Sequence, residues 1–152
     1  MPSANVLVET EIAAEPTDVA GVMFDPQREP EWIEAIQKVE LIDKALQPGA
    51  RVRRTGRFMG YEFSWTTVVE AVHFPHRLVL RIADAPISGT IAYDVQRSGA
   101  GSIVRVHTQG ETSKWSFLPS SMVEGPMRSA MTADLQRLKA LVERPAADTM
   151  SR

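Results

Sequence analysis

A single long amphipathic helix near the C-terminus constrains the fold of this chain more than any other feature. Its apolar residues recur every three or four positions, which places them on one face of a helix. They are Val123, Met127, Met131, Leu135, Leu138 and Val142. Gly125-Pro126 interrupts the pattern early, so the helix either begins or kinks there. Because this is the only long amphipathic segment, its stripe must cover whatever layer the rest of the chain forms.

The preceding part of the chain predicts a sheet. Alternation of apolar and polar residues indicates a first strand at Asn5–Ala13, and two short helices follow at Pro16–Phe24 and Pro30–Glu34. Six further strands are separated by short turn signals, which favour antiparallel pairing of neighbours. Their predicted bounds are Ile36–Lys44, Ala50–Phe58, Tyr61–Val72, Arg77–Ala83, Ile87–Gln96 and Ser102–Thr112. This order predicts an α+β domain in which a seven-stranded curved antiparallel sheet wraps around the long C-terminal helix.

Length and composition narrow the classes of protein. The 152 residues fit one domain, which we place at 1–144, with a flexible C-terminal tail at 145–152. The absence of cysteine excludes a disulfide framework, a thiolate metal site and a cysteine nucleophile. It is compatible with the cytoplasmic location that we expect. The formal net charge of −2 argues against nucleic acid as a partner. We expect no integral membrane contact, since no segment predicts a secretory signal or a membrane-spanning helix.

Seven short motifs, taken in chain order, together span nearly the whole chain. They are Ile12–Val19, Asp25–Trp32, Pro48-Gly49, Phe63–Thr66, Pro75–Leu80, Ser88–Thr90 and Leu138–Leu141. In this order they resemble the START-like or SRPBCC superfamily, especially its polyketide cyclase/dehydrase and lipid-transport branch. The resemblance implies a helix-grip fold with a hydrophobic cavity between the sheet and the last helix. Relatives include lipid carriers, hormone receptors and aromatase/cyclases, so the fold alone does not select the function.

Strand phase selects the side chains that would face such a cavity. Along one strand, alternation puts Tyr61, Phe63, Trp65, Thr67, Val69 and Ala71 on the inward face. Few polar groups among many apolar ones are typical of a small-molecule pocket, for which a volume of about 300–1,000 Å³ is usual. An ordinary filled core with satisfied hydroxyls is the alternative. The candidate ligand-binding residues are Phe24 and Trp32 in the short helices, Arg54, Tyr61, Phe63, Trp65, Leu80, Tyr93 and Thr108 on the strands, and Met127 and Met131 on the long helix. The two methionines would form an adaptable wall of the cavity and a partial gate to it.

Arg54 differs from the other arginines of its strand. Arg51, Arg53 and Arg57 alternate onto the face expected to meet solvent, whereas Arg54 falls on the apolar face. An inward arginine could hold a ligand carboxylate through two parallel hydrogen bonds. Alternatively, Gly56 marks a bulge that resets the phase and removes Arg54 from the interior.

The sequence contains no metal or cofactor motif, and we expect neither group. His73, His76 and His107 lack the spacing of a zinc site, and an enzyme would need its acid or base from these residues, Tyr61 or Tyr93. Our hypothesis is therefore non-covalent binding or carriage of a small hydrophobic molecule, such as a lipid, a polyketide or an aromatic compound. A cyclase, aromatase or dehydratase acting on a polyketide-like substrate is one alternative. A protein-interaction module of the same fold is another, and the sequence leaves a homodimer open.

Overall fold

The long helix and all seven predicted strands are present in the computed structural model, which describes residues 3–58, 60–83, 87–112 and 120–150. The strands are β1 (Ser3–Ile12), β2 (Ile36–Leu41), β3 (Arg51–Phe58), β4 (Tyr61–His73), β5 (Arg77–Ile82), β6 (Ile87–Ser98) and β7 (Gly101–Thr112). The helices are α1 (Pro16–Met23), a 3₁₀ helix (Pro26–Glu31) and α2 (Ser120–Met150). These elements confirm the predicted α+β class and the helix-grip architecture.

The second short helix begins four residues earlier than the sequence pattern predicted. It spans Pro26–Glu31 instead of Pro30–Glu34. Asp25 precedes it, and the Oδ1 atom of Asp25 accepts a hydrogen bond from the backbone nitrogen of Gln27 at 3.0 Å. Such a side-chain acceptor satisfies a donor that the first turn leaves free, so it fixes the start of the helix.

The seven strands form one antiparallel sheet in the order β1-β7-β6-β5-β4-β3-β2. From β2 to β7, each strand pairs with the next one along the chain, as the short turns predict. β1 pairs with β7, because α1 and the 3₁₀ helix carry the chain from one edge of the sheet to the other. The register places Trp65 opposite Arg54 and Val106 opposite Tyr93.

A bulge in β4 changes the predicted phase at the end of that strand. The pairing with β5 skips Glu70, since Val69 and Ala71 lie opposite consecutive residues of β5. An extra residue of this kind reverses which side chains point inward beyond it. Val72 therefore packs against the core in the place predicted for Ala71, and that prediction is wrong. Thr67, which precedes the bulge, is buried as predicted.

The predicted apolar stripe of α2 packs against the interior. Five of its six residues are buried, and Met131 is partly buried against the same core. α2 begins at Ser120, so it does not start at Gly125-Pro126, which lies within the helix. The helix continues to Met150. The flexibility expected for 145–152 and the domain boundary at 144 stay predictions.

Polar side chains of α2 bind the free edge of β1. An edge strand leaves N–H and C=O groups unpaired, and here two carboxylates accept from backbone nitrogens while two cations donate to carbonyl oxygens. The contacts are Asn5 N to Glu124 Oε2 at 2.9 Å, Arg128 Nη1 to Leu7 O at 3.0 Å, Lys139 Nζ to Glu11 O at 2.8 Å, and Ala13 N to Glu143 Oε2 at 2.8 Å. Helix and strand therefore run side by side in the same direction, and α2 closes this edge of the sheet.

Candidate ligand-binding cavity

A cavity of about 160 Å³ lies between the sheet, the 3₁₀ helix region and α2. Its walls are mainly apolar, and eight residues add polar side-chain atoms: Glu29, Trp32, Arg54, Trp65, Thr67, Tyr93, Thr108 and Asp134. The volume is smaller than the 300–1,000 Å³ expected from the sequence. Large side chains occupy part of the interior, among them Trp32 and Arg54, which are only 2% and 3% exposed.

Seven of the eleven candidate residues line this cavity. They are Trp32, Arg54, Trp65, Leu80, Tyr93, Thr108 and Met131. Several lining side chains, including Ile33, Trp65, Ile91 and Met131, are partly exposed, so they mark the open side, whereas Trp32, Arg54 and Tyr93 form the buried floor. Lining the cavity does not itself test ligand binding, so the binding role of these residues stays a prediction.

The other four candidates lie elsewhere. Phe24 is buried behind Tyr93, and Met127 is buried in the core without lining the cavity. Phe63 is partly buried against the core. Tyr61 stacks on Phe63 with ring centroids 6.3 Å apart, but it is 49% exposed near the start of β4. Alternation put Tyr61 and Phe63 on the same face of β4 as Trp65, but it could not show how far along the strand the cavity extends.

Arg54 points into the cavity and is held there by Glu29. Its Nε lies 2.6 Å from Glu29 Oε1 and its Nη2 lies 2.8 Å from Glu29 Oε2, while its Nη1 donates to Thr67 Oγ1 at 2.5 Å. Both charged side chains are almost fully buried. The inward placement predicted by strand phase is therefore correct. The bulge on this side lies between Ile36 and Lys38 of β2 and leaves the phase of β3 intact.

The pairing with Glu29 changes what Arg54 can do for a ligand. Burial opposes the charge of the guanidinium, but the nearby charge and hydrogen bonds of Glu29 outweigh burial and raise the pKa of Arg54 above its ordinary value. The arginine therefore stays charged, and its charge is already neutralised by a partner. This removes the reason for expecting a ligand with an acidic end. Glu29 was not among the predicted residues, because nothing in a short polar helix marks one carboxylate as buried.

Two aromatic rings at the floor of the cavity, those of Trp32 and Tyr93, pack with a third ring behind them, that of Phe24. Tyr93 lies 6.0 Å from Trp32 in an edge-on arrangement and 6.3 Å from Phe24 in a stacked one, measured between ring centroids. Burial, followed by the negative charge of Glu29, raises the pKa of Tyr93, so its hydroxyl keeps its proton and can donate a hydrogen bond. Within the described part of the chain, the indole nitrogen of Trp32 is the one buried side-chain nitrogen or oxygen without a hydrogen-bond partner.

Asp134 of α2 lines the cavity and was not among the predicted residues. Its Oδ1 accepts a hydrogen bond from the backbone nitrogen of Glu34 at 3.2 Å and contacts Arg137 Nη2, while Arg137 Nε donates to Trp32 O at 3.1 Å. Burial raises the pKa of Asp134, although the Glu34 N–H and Arg137 oppose that rise. Its position, three residues after Met131, lies on the helix stripe, and this spacing could have identified it.

A second, outer groove of about 240 Å³ lies between α1, the β2–β3 loop and Phe74. Phe24 lines this groove. The ring of Phe24 also contacts Phe74 on the outside, at 6.0 Å between centroids, and Tyr93 on the inside. Phe24, which lines the groove, and Tyr93, which lines the cavity, therefore lie together between the two spaces.

The histidines lie away from the cavity. His107 Nε2 is 2.7 Å from Asn5 Oδ1, and His76 Nδ1 is 2.9 Å from the carbonyl oxygen of Val95. Neither residue lines the cavity or the outer groove. Across residues 3–58, 60–83, 87–112 and 120–150, no three histidine, aspartate or glutamate side chains are grouped so that they could hold a metal ion.

Comparisons with known proteins agree with this architecture. The model of a family described as polyketide cyclase/dehydrase and lipid transport matches residues 3–143. A START superfamily protein from Mycobacterium smegmatis has a TM-score of 0.81 at 15% identity, with 92% of this chain and 97% of that chain covered. The Zhui aromatase/cyclase from a Streptomyces species has a TM-score of 0.77 at 17% identity, with 95% and 96% covered. TTHA0849 from Thermus thermophilus has a TM-score of 0.80 at 17% identity, with 93% and 98% covered. At these identities the structures establish the shared fold.

No curated protein matches the chain significantly. Among its described helices, none has both the length and the apolar composition needed to cross a membrane.

Proposed function

Because the chain belongs to the polyketide cyclase/dehydrase and lipid transport family, we propose that it binds a small, largely apolar molecule non-covalently in the cavity between the sheet and α2. The observation that carries this proposal is the cavity itself, whose walls are apolar and whose charged residues are already paired with protein groups. Such an interior favours apolar surface over a free ion. The expected cytoplasmic location and the homodimer stay predictions beside it.

Native mass spectrometry of the protein purified from its own cells tests the proposal. We expect a retained small molecule that is lost on mild activation. Val106→Phe would fill the cavity from β7, whereas Ile103→Phe adds the same ring to the opposite face of that strand. The retained mass should disappear from the first variant and persist in the second. Retention of the molecule by both variants would place it outside the cavity. The proposal would be overturned if the parent retained no molecule and also showed no saturable binding of apolar probes.

A cyclase- or dehydratase-type reaction is the second candidate, and one titratable group of the cavity favours it. Asp134 lines the cavity, and burial raises its pKa, so it holds its proton to a higher pH than usual, whereas the raised pKa of Tyr93 makes that hydroxyl a weaker acid. A proton donor in a small apolar site is what general acid catalysis requires. The test is turnover of a poly-ketone substrate by the parent, Tyr93→Phe and Asp134→Asn. Consumption that both substitutions abolish would support an enzyme.

The third hypothesis, a protein-interaction module, predicts a filled core. The cavity counts against it, and so does the placement of polar groups toward the interior.

A further inference from the structure

We propose that the outer edge of β2 is the interface of a symmetric homodimer, in which β2 of one copy pairs antiparallel with β2 of a second copy about Val39. β2 lies at the end of the sheet, and in the part of the chain that the structure describes no strand pairs with its outer side. The opposite edge strand, β1, is covered by α2, which binds its free backbone groups. β2 is therefore the edge at which a further strand can join the sheet.

The backbone of β2 directs unpaired groups toward this edge. Ile42 N donates to Arg51 O at 3.1 Å, so the Ile42 N–H points toward β3. Successive residues of an antiparallel ladder direct their backbone groups to opposite sides, so those of Leu41 and Val39 point outward. The pairing with β3 is continuous from Lys38 to Leu41, because the bulge lies before Lys38. The N–H and C=O of Val39 can therefore bond the same groups of Val39 in a second copy, which places a two-fold axis at this residue.

The charges that flank Val39 are self-complementary in this arrangement. Antiparallel pairing about Val39 sets Lys38 opposite Glu40 of the second copy, and Glu40 opposite Lys38 of the second copy. Both side chains are exposed, and within one copy Lys38 Nζ lies 3.9 Å from Glu40 Oε1. Side chains directly opposite each other across a strand pair interact, and opposite charges favour the pairing. The four charges of the dimer would therefore alternate in sign around the axis.

The same two residues select one register. A two-fold axis at Lys38 would set two lysines opposite each other, and an axis at Glu40 would set two glutamates opposite each other. Like charges in directly opposed positions destabilise a strand pair. Lysine on an edge strand ordinarily repels a further strand, and here Glu40 cancels that repulsion for the axis at Val39. Beyond the strand, the exposed Glu34 and Lys44 lie equally far from Val39 along the sequence and repeat the opposition of charge.

Apolar surface adjoins the charged pair. Leu41 and Ile42, at the end of β2, are exposed large apolar side chains. Burying them between two copies would add to the backbone hydrogen bonds. A single pair of short strands buries less than the roughly 1,200–2,000 Å² of a standard interface, so we expect a weak dimer with a Kd in the micromolar range.

Sedimentation equilibrium of the full chain, from roughly 1 µM to roughly 1 mM, measures the association. We expect the parent to dimerise. Lys38→Glu or Glu40→Lys should weaken the dimer about tenfold, because each change opposes like charges at two symmetric positions. Arg81→Glu changes the net charge as much as Lys38→Glu does, but it lies on β5, so it should leave the dimer intact. Thermal unfolding checks that each variant is folded.

An equimolar mixture of Lys38→Glu and Glu40→Lys tests the register directly. In the mixed pair each charge at position 38 faces the opposite charge at position 40 of the other copy, so the mixture should associate as tightly as the parent does. Hydrogen exchange of the Val39 amide should slow as the parent concentration rises, whereas that of the Glu40 amide, which points toward β3, should not change. A parent that stays monomeric at roughly 1 mM would leave this edge to a strand of another protein and would overturn the inference. Association that neither single variant weakens, or that the mixture does not restore, would place the interface elsewhere and overturn it too.

Discussion

Arg54 and Glu29 hold each other inside the fold through two parallel contacts, with Nε 2.6 Å from Oε1 and Nη2 2.8 Å from Oε2. The pair joins β3 to the 3₁₀ helix, 25 residues apart in the chain. It therefore fixes the 3₁₀ helix, which ends immediately before Trp32, against the sheet. The pair also sets the electrostatics of the cavity, because it places a charged arginine in the interior without leaving a free charge there.

Breaking this pair from one side should be costly. Arg54→Met leaves Glu29 buried without its partner, and we expect a loss of about 3–5 kcal/mol in the free energy of unfolding. The double variant Arg54→Met/Glu29→Leu removes both charges and should lose less than the single variant. Urea unfolding of the parent, the two single variants and the double variant measures the difference. A double variant whose loss equals the sum of the two single losses would show that the residues do not stabilise each other.

Removing the Phe24 ring should join the outer groove to the cavity. The ring contacts Phe74 on one side and Tyr93 on the other, so Phe24→Ala removes one of the two rings that lie between spaces of about 240 and 160 Å³. We expect a stability loss of about 3–5 kcal/mol, because a buried aromatic side chain is truncated. The variant should also bind two-ring apolar compounds more tightly than the parent does. Calorimetric titration measures the affinity for two-ring compounds, with Phe63→Ala as the control variant. Equal two-ring affinity in Phe24→Ala and the parent would show that the Phe24 ring does not separate the groove from the cavity.

The α2 stripe should divide into a structural part and a ligand-contacting part. Leu135 and Leu138 are 1% and 0% exposed, so truncating either to alanine should cost about 2–5 kcal/mol. Met127 is also buried and does not line the cavity, so we expect Met127→Ala to behave like the leucine variants. Met131 lines the cavity, and Met131→Ala should cost less stability and change probe affinity more. Denaturant unfolding and probe binding of the four variants separate the two parts. If Met131→Ala lost as much stability as the two leucine variants and left probe binding unchanged, the stripe would have no ligand-contacting part.

Asp134 should make stability depend on pH. Burial raises its pKa above the unfolded value of 3.8, so the folded protein binds this proton more tightly than the unfolded chain does. The sign follows: stability is greater below the unfolded pKa and falls as the pH rises through the folded pKa. Asparagine does not titrate, so Asp134→Asn should lack this pH dependence. Its free energy of unfolding relative to the parent should therefore increase as the pH rises from the unfolded pKa of Asp134 to the folded pKa, and then level off. Urea unfolding from about pH 4 to about pH 8 checks it, the range in which a raised carboxyl titrates. A relative stability that does not change with pH, or that decreases, would contradict the role of burial.

Much of the architecture was predictable from local patterns. Alternation and turn residues predicted all seven strands within a few residues, because a sheet with one buried face imposes period two on its sequence. The helix stripe was equally clear. The same alternation put Arg54, Trp65, Tyr93 and Thr108 on the inward face, and the structure brings all four to one cavity.

The remaining features depend on contacts between distant segments. The bulge at Glu70 appears only when β4 is paired with β5, so the phase reversal at Val72 has no local signal. The sequence by itself determined that Arg54 lies on an apolar face, but only the tertiary structure decided its state, by bringing Glu29 against it. The tertiary structure likewise decided the burial of Asp134 and of the Trp32 indole nitrogen, which has no hydrogen-bond partner within residues 3–58, 60–83, 87–112 and 120–150. Strand and helix periods fix which face a side chain occupies, whereas burial, charge pairing and hydrogen-bond satisfaction depend on which segments meet across that face.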